Sequence, residues 1–96
     1  MQLSNLRQQR DAVLALAHQH GVRGLRVFGS VARGDARPDS DIDFLISGMD
    51  EGKDLIDFIE FKHDLEKLLH CSVDVIGEKG LYWYLKDKIL AEAVAL

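Results

Sequence analysis

The chain has little that would stiffen or divide it. Its 96 residues include one cysteine, one proline and one tryptophan. A lone Cys71 excludes an internal disulfide and points to a reducing compartment, with the thiol expected as a small buried side chain beside a strand. No Pro/Gly/Ser-rich tract, repeat or low-complexity stretch marks a linker, so residues 1–96 read as a single small domain. No apolar run reaches the roughly 20 residues that cross a bilayer. The opening Met1-Gln2-Leu3-Ser4-Asn5 lacks the basic and apolar regions of a signal peptide. A cytoplasmic protein with no membrane partner is the expectation. A basic surplus is missing too: the net charge is −4, which argues against direct binding of nucleic acid.

The distribution of charge says more than its sum. All six arginines precede Pro38 and all six lysines follow it, so residues 1–38 carry a net +4 and residues 39–96 a net −8. A basic front half suits a polyphosphate ligand, although for Arg7 and Arg10 simple solubility is the better account.

Periodicity orders the elements. Ser4 is placed to cap a helix running to about His20, with Leu6, Val13, Leu16 and Ala17 as its apolar stripe and Gly21 and Gly24 ending it. Leu25 to Phe28 reads as a strand, Val31 to about Asp35 as a short helix, and Asp41 to Ile46 as a second strand. Lys53 to His70 is the clearest helix, with Leu55, Phe58, Ile59, Leu65, Leu68 and Leu69 as its stripe. Cys71 to Ile76 reads as a third strand, and Tyr82 to about Ala93 as a last helix. The order α-β-α-β-α-β-α predicts an α/β class, a small sheet backed by helices.

Two pieces of this frame carry chemistry. Gly29-Ser30 leaves the first strand and opens a helix. A residue without a side chain lets backbone approach an anion, and Ser30 adds a hydroxyl and an N–H beside the oriented N–H groups of the following helix. Gly34 permits a tight exit. Arg33 and Arg37 are near enough in sequence to reach a triphosphate, although Arg33 reads almost equally well as a solvated helix residue. Ser40-Asp41-Ile42-Asp43 then heads the second strand. Residues two apart on a strand share a face, so Asp41 and Asp43 project together while Ile42, Phe44 and Ile46 point the other way. Paired carboxylates repel unless a cation lies between them, and Mg²⁺ favours carboxylate oxygen plus substrate phosphate. Asp74 interrupts the apolar run Val73 to Ile76. An isolated carboxylate inside a strand is costly unless paired or bound to metal. If the third strand lies beside the second, three carboxylates could hold two metals roughly 3.5–4 Å apart.

Gly29-Ser30-Val31-Ala32-Arg33-Gly34 with Ser40-Asp41-Ile42-Asp43 resembles the signature of the polymerase-β-like nucleotidyltransferase superfamily. The ending Ile89-Leu90-Ala91-Glu92-Ala93 resembles its minimal (MNT) branch. The resemblance implies a small mixed sheet backed by helices. It also implies nucleotide contacts from Gly29 and Ser30, joined by Arg33 and Ser40 as candidates, and catalytic and metal-binding roles for Asp41, Asp43 and Asp74 with two Mg²⁺. Members of this branch often accompany a HEPN-domain RNase toxin. The implied activity is then that of an antitoxin transferring AMP from ATP to a tyrosine of that toxin. Two other readings stay open: an antitoxin acting by stoichiometric binding, and a small-molecule nucleotidyltransferase of the aminoglycoside type.

The remaining features have plainer readings. His18, His20, His63 and His70 are expected at the surface. Tyr82-Trp83-Tyr84 is expected to pack the last helix or to line a pocket or interface. The apolar tail from Ala91 to Leu96 is a candidate interface. The acidic face of the Lys53–His70 helix reads as solvated, with contact to a basic toxin surface as the alternative.

Overall fold

Alternation at Ile42, Phe44 and Ile46 determines which side of the sheet becomes the core. In a computed structural model, which describes residues 1–50, 52, 54–80 and 83–96, these three side chains are buried. They belong to β2 (Ile42–Ile46). The antiparallel neighbour β1 (Leu25–Phe28) sends Val27 to the same side, and the parallel neighbour β3 (Val73–Gly77) sends Val73 and Val75. A fourth strand, β4 (Val94–Ala95), pairs antiparallel with β1, and the sheet order is β3-β2-β1-β4.

Helices α1 (Leu3–Gln8), α2 (Arg10–Gln19) and α4 (Leu55–Leu69) supply Leu6, Val13, Ala17, Phe61, Leu65 and Leu69 to this core. A short α3 (Gly29–Arg33) leaves β1, and α5 (Trp83–Glu92) follows a 3₁₀ turn at Glu78–Gly80. The expected α/β class holds, as does the alternation from β1 to α5, but the fourth strand β4 was not expected; Asp74 does lie on a strand adjacent and parallel to that of Asp43.

Three readings are corrected. The first helix is two, broken at Gln9, whose N–H bonds back three residues to Leu6. The break falls in the polar run Arg7 to Arg10, where no apolar side chain holds the axis. Its cap is Gln2 rather than Ser4. The stripe expected along the long helix is buried only in its second half. Leu55 is 71% exposed and Ile59 42%, whereas Phe61 and Leu65 are fully buried. Spacing defines the angle of an apolar stripe but not how far the neighbouring layer extends beneath it. The helix still begins cleanly, because the Asp54 carboxylate accepts from the N–H groups of Ile56 and Asp57 while Asp57 accepts from Asp54 N–H.

The apolar tail forms a sheet edge: Val94 and Leu96 pack partly on the core, and Arg7 donates to Ala95 O at 3.2 Å. Finally, His20 is not a surface histidine. Its Nε2 meets Asp64 Oδ2 at 2.8 Å and its ring tilts against Phe61. Cys71 is half-buried against the core. Tyr84 is exposed, and Tyr82 and Lys53 lie outside the described residues.

The split of α4 makes a direct prediction. Leu65→Ala should lower unfolding free energy by about 2–5 kcal/mol, and Leu55→Ala by less than about 0.5 kcal/mol, measured by urea titration of circular dichroism.

Candidate active site

The site begins with a backbone turn. Phe28 is extended, and Gly29 then adopts φ +74, a conformation that favours glycine. Space imposes the same choice. A Cβ on Gly29 would collide with the Asp43 carboxylate. At the other end of α3, Gly34 takes φ +84 while its N–H and that of Asp35 both bond to Ser30 O at 3.0 Å. The two glycines bracket a single helical turn and aim it at the carboxylates.

Register brings the carboxylates together. Asp43 sits opposite Phe28 on β1 and opposite Asp74 on β3, so the three side chains form a row on the face away from the core. Asp41 lies just ahead of β2 and is exposed. The Asp43 carboxyl is pushed up from 3.8 to about 6, first by partial burial, then by the negative charges of Asp74 and Asp41, against some relief from Arg33. Asp74 is itself exposed. Water therefore relieves the cost expected of a carboxylate inside a strand. Its place beside Asp43 comes from strand pairing, with water on its other side.

A cleft of about 290 Å³ joins the two pieces, lined by Phe28, Gly29, Ser30, Arg33, Asp43, Leu85, Lys88, Ile89 and Glu92. Arg33 is therefore at the site. Its guanidinium donates to Glu92 Oε1 at 2.9 Å and to Asp35 Oδ2 at 3.3 Å, contacts that hold its pKa above the ordinary value. Ser40 is engaged differently: its hydroxyl accepts from Arg37 N–H at 2.9 Å and closes the loop ahead of Asp41.

Glu92 is the site residue that motif reading passed over. It also accepts from Gly29 N–H at 2.5 Å. The available signal was a single acid interrupting the apolar run Ile89 to Leu96. A somewhat larger cleft, of about 330 Å³, opens at the far end of β2 and β3 among Arg23, Ile46, Met49, Phe58 and Lys79. It lacks the facing aspartates.

The donor set fits a hard divalent cation. Carboxylate oxygens from adjacent strands share one face, and their mutual repulsion is what a cation relieves. Among the described residues, no three His, Cys, Asp or Glu side chains are close enough to hold an ion alone. Oxygens from phosphate and water would complete the shell, as Mg²⁺ sites commonly require.

A mixed sheet thus sets paired aspartates on one face, with a glycine-serine turn against Asp43. The nucleotidyltransferase domain family matches residues 6–96, and the chain belongs to that family. A Methanocaldococcus jannaschii protein named "Putative protein adenylyltransferase MJ0435" is 38% identical over 90 residues, 94% of this chain and 96% of that protein. Protein adenylyltransferase MntA of Thermococcus cleftensis is 39% identical over 79 residues, 82% of this chain and 79% of that protein.

A solved structure described as "Structure of putative minimal nucleotidyltransferase" is similar at TM-score 0.87 and 48% identity, covering 100% of this chain and 97% of that one. The fold is also shared with two more distant structures. One, at TM-score 0.69 and 16% identity over 93% of this chain and 69% of that one, comes from a complex of tri-AMPylated Shewanella oneidensis HEPN toxin with MNT antitoxin. The other, at TM-score 0.76 and 19% identity over 90% and 70%, comes from a toxin–antitoxin structure with AMP-PNP.

Two outcomes test the electrostatics and the turn. The folded state holds a proton on Asp43 more tightly than the unfolded chain does. Ionising Asp43 therefore destabilises the metal-free protein as pH rises from about 4 through about 6. Asp43→Asn should raise the unfolding free energy at pH 7.5 by on the order of 1 kcal/mol after solvent screening, read by urea titration, and the gain should vanish by about pH 4. Gly29→Ala should lower stability by about 1–3 kcal/mol in chemical denaturation, because it adds both a strained φ and a clash with Asp43.

Proposed function

We propose that the chain is a Mg²⁺-dependent protein adenylyltransferase, the antitoxin partner of a HEPN-domain toxin, and that it transfers AMP from ATP to a tyrosine of that toxin. The observation that carries this reading is the contact between Gly29 and Asp43. The absence of a side chain at Gly29 leaves room for the Asp43 carboxylate beside the turn, and both line one cleft. Relatives named protein adenylyltransferases support the reaction type. The Shewanella oneidensis complex, in which an MNT antitoxin accompanies an AMPylated HEPN toxin, supports the partner.

In this reading Gly29 N–H and Ser30 hold the outer phosphates of ATP, and Arg33 offsets their charge. Asp41, Asp43 and Asp74 would hold Mg²⁺, which neutralises phosphate charge and acidifies the attacking hydroxyl when bound. The tyrosine oxygen attacks the α-phosphorus in line with the bond to the β-phosphate oxygen. That bond breaks and pyrophosphate leaves. Asp74, at the water-facing edge of the row, takes the hydroxyl proton. Phe28, Leu85 and Ile89 give the cleft an apolar wall against which phosphate interactions strengthen.

The native chain, incubated with ATP, Mg²⁺ and its HEPN partner, should add AMP to the partner as read by mass spectrometry. No added mass would end the proposal. Asp41→Asn or Asp43→Asn should abolish transfer with the circular dichroism spectrum unchanged. Undiminished toxin neutralisation by these variants in cells would instead favour inhibition by binding alone.

A further inference from the structure

The phosphate-facing donors of the cleft already hold an anion belonging to the chain itself. One oxygen of Glu92 takes both Gly29 N–H and Arg33 Nη1–H. Its side chain is 15% exposed, although it belongs to the last residue of a surface helix. Backbone N–H plus guanidinium is the pair of donors that also suits an anionic phosphate oxygen. We propose that Glu92 is a built-in competitor for nucleotide phosphate: its carboxylate occupies the turn, and a triphosphate must displace it to bind.

This inference rests on the nucleotidyl-transfer reading above and adds a determinant of nucleotide affinity to it. Gly29 has one N–H, directed at Glu92, and that donor cannot serve a phosphate oxygen at the same time. Glu92 also places a further negative charge near Asp43 in a cleft that must accept a polyanion. Like charges at such range oppose binding until one withdraws. Withdrawal is feasible without unfolding. Val94 and Ala95 remain paired to β1 just beyond, so the base of Glu92 stays fixed while its side chain swings. Lys88, one helical turn earlier and lining the same cleft, offers the displaced carboxylate a new partner. Arg33 keeps Asp35 as a second contact, which holds the guanidinium near the turn after Glu92 leaves.

The test is calorimetric binding of inorganic tripolyphosphate with Mg²⁺ to the native chain and to Glu92→Gln, with AMP transfer by the native chain measured in parallel. Displacement predicts that Glu92→Gln binds tripolyphosphate about tenfold more tightly, because the neutral amide is a weaker rival for both donors. Equal or weaker binding by a folded Glu92→Gln, alongside normal transfer by the native chain, overturns the competitor role and leaves the nucleotidyl-transfer reading standing. No tripolyphosphate binding by either protein, together with no transfer, overturns both. A second measurement needs no variant. In the ¹³C,¹⁵N-labelled native chain, the Glu92 side-chain carboxyl and Gly29 amide resonances should move together as tripolyphosphate is added. Saturation of Gly29 with Glu92 unmoved contradicts displacement.

Discussion

The arrangement depends on repulsion between aspartates that the sheet forces onto one face. Asp43 and Asp74 are register partners on parallel strands, and Asp41 adds its charge from the approach to β2. The fold accepts this cost, visible in the raised pKa of Asp43, because the other face of the same strands is fully committed to the core. Ile42, Phe44, Val73 and Val75 are buried against the α-helical layer. Moving either strand by one residue would relieve the aspartates and expose that apolar set. Register is thus held by burial on one side, and the electrostatic tension on the other side follows from it.

The turn is the complement of that tension. The left-handed backbone at Gly29 brings N–H groups, the Ser30 hydroxyl and Arg33 to the edge of the carboxylate row. Positive and negative components therefore line the same cleft, with Glu92 bridging to the positive side. A polyphosphate with an associated cation presents both signs of charge in the matching order. The family assignment and this charge pattern agree.

Much of this was legible in the sequence because the relevant signals are local. A glycine-serine pair after Leu25 to Phe28 marks the turn, and period-two alternation in Asp41 to Ile46 assigns each side chain to a face. Asp74 was readable as an acid inside an apolar run. What escaped was non-local. Glu92 meets Gly29 across 63 positions, and the pairing of Val94 with Val27 spans a similar separation. No spacing rule links such positions. The exposed start of α4 escaped for a related reason: Leu55 and Leu65 look alike in a helical projection, and only the extent of the neighbouring layer separates them.

Nucleotide and metal are proposed to meet in the cleft between the Gly29 turn and Asp43, beside Asp74. The most direct measurement is a crystal structure with a non-hydrolysable ATP analogue and Mn²⁺, using anomalous scattering to place the metal. Anomalous density should lie against Asp43 and Asp74, with the triphosphate on Gly29 and Ser30. Metal or nucleotide lodged instead in the far cleft beside Arg23 and Lys79, with the aspartates left bare, would contradict that placement.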